Sequence, residues 1–104
     1  MGDTMFRFER TTTVKSVADM PAAMQFAAEV TGYVNKKYAL KMDFGAEAFN
    51  EYRVHWYFDF ESVDKLSAMA MTLLQDATYT EMLAKGKALW VEGSLRDTIV
   101  RLAG

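Results

Sequence analysis

The stretch Tyr52-Arg53-Val54-His55-Trp56-Tyr57-Phe58-Asp59-Phe60 alternates strictly, and this constrains the fold more than anything else in the chain. Val54, Trp56, Phe58 and Phe60 fall on one side; Arg53, His55, Tyr57 and Asp59 fall on the other. Successive side chains of a strand point to opposite faces, so the stretch reads as one strand with an aromatic wall on one face and ionisable groups on the other. That second row holds the sequence's single histidine. An antiparallel sheet, packed on one face and solvated or partnered on the other, accommodates such a strand.

The flanking segments fit the same sheet. Met5 to Val14 reads as a strand, with Phe6 and Phe8 alternating with Arg7 and Glu9 before a β-branched run. Asp19 is the preferred cap for a helix from Met20 to about Lys36, because Pro21 then falls in the first turn, where its missing N–H costs nothing. Ala23, Phe26, Ala27, Val30 and Val34 form that helix's apolar stripe, joined by Met20 and edged by Met24. Tyr38 to Phe44 alternates as a second strand, and Gly45 opens a polar connection through Glu51. Ser62 caps a second helix whose core stripe is Leu66, Met69, Ala70, Leu73 and Leu74. Thr78 and Glu81 match a capping box for a short helix to about Lys87. Leu95 to Leu102 is the last strand; its faces cannot be assigned from its weak alternation.

The order βαββαβ predicts an α+β, ferredoxin-like chain: one antiparallel four-stranded sheet with its helices on one face, forming a single domain over residues 1–104. Its 104 residues and 51% hydrophobic content suit one globular domain. A formal net charge of −2 argues against a nucleic-acid surface or an anionic membrane surface. There is no cysteine, hence no disulfide, zinc–thiolate site or thiol nucleophile, and no P-loop, dinucleotide or HExxH motif. No cofactor and no metal are expected. No apolar run reaches membrane-spanning length, and Met1-Gly2-Asp3-Thr4 does not begin a signal peptide; the expected location is cytoplasmic.

The aromatic strand running into a serine-capped helix, Trp56 to Leu66, and the turn Asp76-Ala77-Thr78-Tyr79 together resemble the dimeric α+β barrel superfamily, near its antibiotic-biosynthesis-monooxygenase-like members. The resemblance covers nearly the whole chain in element order. It implies a homodimer whose two sheets face each other and close a barrel, with a ligand cavity between each sheet and its helices or loops. It does not imply one reaction, because one fold hosts many functions. Haem-degrading members place a histidine on the second helix; this chain has none there, so that activity does not carry over.

Two sets of candidate residues follow. On the charged face, His55 could serve as a general acid or base positioned by Asp43 or Glu9, with Tyr57 and Arg53 binding a substrate oxygen; Arg7 and Asp43 join them as binding residues. The plainer reading of this face is an ion-pair network, Arg7, Lys41 and Arg53 against Glu9, Asp43 and Asp59. On the aromatic face, Trp56, Phe44 and Met24 are candidate substrate contacts; the plainer reading is core. The chain's eight methionines, together with its aromatics, suit an adaptable apolar or aromatic ligand. The expected function is a cofactor-independent monooxygenase- or cyclase-type enzyme on a polyketide-like substrate; the alternative is a non-catalytic binding protein for a hydrophobic ligand such as a fatty acid.

Overall fold

The computed structural model describes residues 4–47 and 51–103. Strand β1 is Phe6–Thr13, β2 Asp43–Ala46, β3 Arg53–Phe60 and β4 Arg96–Arg101; helix α1 is Met20–Tyr38, α2 Val63–Leu74 and α3 Ala77–Gly86. The strands form one antiparallel sheet in the order β2-β3-β1-β4. This is the ferredoxin-like arrangement, with the first and third strands central. The β1–β3 register sets Phe8 opposite Phe58 and Glu9 opposite Tyr57. Along β2 and β3 apolar residues therefore share one face and ionisable residues the other, while toward the β4 edge the Arg10–Asp97 ion pair interrupts the apolar face.

The apolar face is the core. Val14, Ala23, Ala27, Val54 and Trp56 are buried together, with Met24, Phe26, Phe44 and Trp90 against them. The Trp90 ring meets Trp56 edge-on at 5.8 Å and Phe26 at 5.7 Å, an arrangement that ring quadrupoles favour. Phe26 also presses on the end of α3: a Cβ on Gly86 would lie 2.3 Å from its ring, so only glycine admits this approach. Val30, Val34 and Tyr79 form a second buried group between α1 and α3.

The second strand lies elsewhere than the alternation of Tyr38–Phe44 predicts. Helix α1 continues to Tyr38 and closes on Ala39 in the left-handed region, φ 54°. Asn35, in the helix's last turns, then holds the backbone of Met42 twice, donating to its carbonyl at 2.9 Å and accepting from its amide at 2.8 Å. A side chain satisfies the groups that a sheet partner would have taken, so pairing begins only at Asp43. It extends through Gly45 to Ala46, into what the sequence assigns to a connection; residues 48–50 of that connection lie outside the described residues.

Helix α2 starts as predicted, Ser62 Oγ accepting from the Lys65 amide at 3.2 Å. Its stripe is narrower than its periodicity suggests. Leu66, Met69 and Leu73 are half-buried, but Ala70 and Leu74 are exposed, because the helix meets β3 and α3 along one side only. For α3 the cap is Asp76 and not Thr78: its carboxylate accepts from the Tyr79 amide at 3.0 Å. Asp76 prevails because the same carboxylate collects the Tyr33 and Tyr38 hydroxyls and the Lys37 ammonium, tying the end of α1 to the start of α3.

Candidate functional site on the open sheet face

Strand alternation places Arg7, Glu9, His55, Tyr57 and Gly45 on the uncovered face, and Glu47 follows β2 in the same phase. These residues line a shallow pocket of about 340 Å³. Gly45 stands directly across from His55 in the β2–β3 register. With no side chain there, the space beside the imidazole is left open.

His55 is the centre of the site. Its Nδ1 lies 2.8 Å from Glu9 Oε1 and its Nε2 lies 2.7 Å from Glu47 Oε2. An ionised carboxylate only accepts hydrogen bonds, so between two of them both ring nitrogens would have to donate, which favours the imidazolium. Burial works against that charge, but the bonds to Glu47 and Glu9 outweigh it, and the pKa is raised above its ordinary 6.5. In return the His55 bond, and after it the Arg53 bond, hold the Glu47 carboxyl below the usual range. Arg53 donates to Glu47 at 2.7 Å and lies 3.4 Å from Glu51. Arg7 grips Asp59 through two nitrogens, at 2.8 and 3.2 Å, with its guanidinium over the Tyr57 ring.

The sheet separates the candidate residues into two groups. His55, Tyr57, Arg53, Arg7 and Asp43 share the open face, but Arg53 is engaged by carboxylates, and Asp43 faces Tyr57 in the register. Of the two orienting residues the sequence offers for His55, the structure gives Glu9 and not Asp43, and adds Glu47. Arg7 and Arg53 pair as charge composition suggests, though Arg53 takes Glu47 and Glu51. Trp56, Phe44 and Met24 lie on the opposite face, packed in the core, so they do not contact the pocket. Among the described residues the buried Trp56 indole nitrogen has no hydrogen-bond partner. Glu47 is the pocket residue beside His55 that sequence reasoning misses; the signal was present, since Asp43, Gly45 and Glu47 continue one alternation once the strand runs past Gly45. Among the described residues no cluster of three or more histidine or acidic side chains is placed to hold a metal ion, and no helix is long and apolar enough to cross a membrane.

No family model and no curated protein matches the sequence. Solved structures match throughout. A NIPSNAP family protein of unknown function from Agrobacterium tumefaciens superposes with a TM-score of 0.80 at 18% identity, over 95% of this chain and 88% of its own. A candidate antibiotic biosynthesis monooxygenase from Nitrosomonas europaea gives 0.71 at 12% identity, over 98% and 93%. A dimeric protein of unknown function with a ferredoxin-like fold, from Bacteroides fragilis, gives 0.71 at 10% identity, over 94% and 96%. At such identities the likeness is one of fold. The chain has a ferredoxin-like fold.

Proposed function

We propose that the chain is a homodimeric, cofactor-independent enzyme that removes a proton from carbon beside a carbonyl group in a small aromatic or polyketide-like substrate. Monooxygenase- and cyclase-type reactions share that step. The observation that carries the reading is His55 held between two carboxylates in a pocket of the open sheet face, an arrangement that favours its imidazolium form. The substrate carbonyl oxygen would sit near His55, whose positive charge and N–H groups stabilise the developing oxyanion. Glu9 makes one hydrogen bond to His55 through Oε1, which leaves Oε2 to accept the proton. Tyr57, braced by Arg7, orients the substrate, and Arg53 holds Glu47 in place. The homodimer is supported by the open face, where Arg7, Arg53 and His55 are already paired with carboxylates and could be covered by a second sheet at lower cost.

The alternative, a binding protein for a fatty-acid-like ligand, would seat that ligand among Trp56, Phe44 and Met24. It has less support, because those side chains already pack against one another and against Trp90.

The test is deuterium incorporation from D2O into anthrones and aromatic 1,3-diketones, followed by NMR. Wild type is expected to accelerate exchange, and His55→Gln to lose at least about a hundredfold of that acceleration while keeping its circular dichroism. Equal exchange in His55→Gln would remove His55 from the reaction. No acceleration of any of these carbon acids, with a co-purified lipid found by native mass spectrometry, would favour the binding protein.

A further inference from the structure

Nothing in the backbone requires glycine at position 45. Gly93 has a positive φ of 77°, which side chains rarely adopt, and Gly86 meets the Phe26 ring too closely for a Cβ. Gly45 has neither constraint: its φ is not positive, and a Cβ built on it would meet nothing within 4 Å among the described residues. Gly32 is equally unconstrained but lies on the exposed side of α1. Gly45 is half-buried inside β2, and glycine within a strand weakens it, giving up the packing and stiffness that a β-branched residue supplies. The missing side chain would stand on the open face, directly across from His55. What glycine provides here is room, and the β2 backbone becomes the floor of the His55 pocket.

Strand glycines of this kind mark places where a ligand or another backbone approaches closely. The charges around the pocket decide which ligand fits. Arg7 is engaged by Asp59, His55 lies between Glu9 and Glu47, and Glu47 is shared with Arg53. The pocket therefore offers no free cation among the described residues, and a carboxylate or phosphate would have to sit beside Glu9 and Glu47, like charge against like. A neutral carbonyl oxygen needs only a share of a His55 N–H. A flat ring system can lay its face on the bare backbone of Gly45, where a side chain would hold it off, and still reach the neighbouring strand, about 5 Å away. We propose, on the reading of this pocket given above, that Gly45 is the specificity-determining residue of the site: it seats a neutral, planar fused-ring ketone on β2 with the carbonyl oxygen at His55.

The test is an NMR titration of wild type, Gly45→Ala and Gly45→Val with fluorenone, read on the ring signals of the single histidine. Fluorenone is neutral and planar and has no exchangeable hydrogen beside its carbonyl, so binding is measured apart from turnover. Wild type is expected to bind it with movement of the His55 signals, and valine to raise the Kd about tenfold or more, with alanine between. A fluorenone carboxylate is expected to bind wild type more weakly than fluorenone itself. Both variants should melt at least as high as wild type, because the added Cβ meets open space and both residues hold a strand better than glycine does. No fluorenone binding by wild type, equal affinity in Gly45→Val, or binding that leaves the His55 signals unmoved would overturn the seat. A valine variant that melts several degrees lower would overturn it too, giving this glycine a structural role, and a carboxylate that binds as tightly as fluorenone would overturn the neutral substrate class. The expected binding series without deuterium exchange in any carbon acid would overturn the enzyme proposed above and leave the Gly45 seat standing.

Discussion

Replacing Asp76 with alanine is expected to lower the melting temperature by about 15–20 °C, from the partners left unsatisfied and the usual conversion of stability to Tm for a domain of this size. The Asp76 side chain is only 2% exposed. It accepts from the Tyr79 amide, the Tyr33 and Tyr38 hydroxyls and the Lys37 ammonium. Alanine would strand a helix N-terminal amide and two phenol groups and would unlink α1 from α3. Asparagine keeps an oxygen for the amide but loses the charge, so its fall should be smaller. The pH dependence has a definite sign. The Tyr38 hydrogen bond, ahead of those from Tyr79, Tyr33 and Lys37, holds the Asp76 carboxyl well below its ordinary 3.8, against the opposing effect of burial. A carboxyl depressed on folding stabilises the native state fully above its unfolded value and loses that contribution as the pH falls toward the folded one. Thermal melts between pH 2 and 7 should therefore show a steep acid limb in wild type and a flatter one in Asp76→Asn. A fall of under about 5 °C for alanine would mean that the cluster contributes little to stability.

Trp56→Ala is expected to cost about 3–5 kcal/mol, the range for removing a buried large aromatic side chain. Trp56 is buried at the middle of the sheet, against Trp90, and its loss opens a cavity that the surrounding helices cannot close. Trp56→Phe should cost much less. It gives up ring area but also removes a buried indole N–H that has no partner among the described residues, and such a group carries a desolvation penalty. Urea unfolding measures both. Because Trp56 faces away from the His55 pocket, Trp56→Phe should also leave deuterium exchange at wild-type rate. A folded Trp56→Phe that loses exchange would place this ring at the ligand site and not in the core.

The element order could be read from the sequence because each strand and helix carries its own periodicity, and the strand at residues 53–60 carries it most strongly. The α2 cap at Ser62 and the division of β3 into two faces were equally legible. The start of β2 was not. Tyr38 to Phe44 alternates convincingly, but the Asn35 side chain takes the backbone groups of Met42, a contact that no pattern in the chain announces. That shift concealed Glu47, and with it half of the environment of His55. The cap of α3 went unread for a similar reason: Thr78 and Asp76 are both good caps, and the tyrosines that decide between them come from a distant helix. The sequence could nominate Trp56 and His55 together as neighbours in the chain, while the pleat that makes them neighbours also sends them to opposite faces.

The charge state of His55 is the centre of the account, and its being the single histidine of the sequence makes it directly measurable. A group whose pKa rises on folding stabilises the native state fully below its unfolded value and loses that contribution as the pH climbs through the folded one. Imidazole 15N NMR across pH 5 to 9 should show both ring nitrogens protonated at neutral pH and a midpoint above the ordinary 6.5, moving down in Glu47→Gln. A midpoint at or below that value, with a neutral tautomer at pH 7, would contradict the carboxylate-flanked imidazolium on which the proposed chemistry depends.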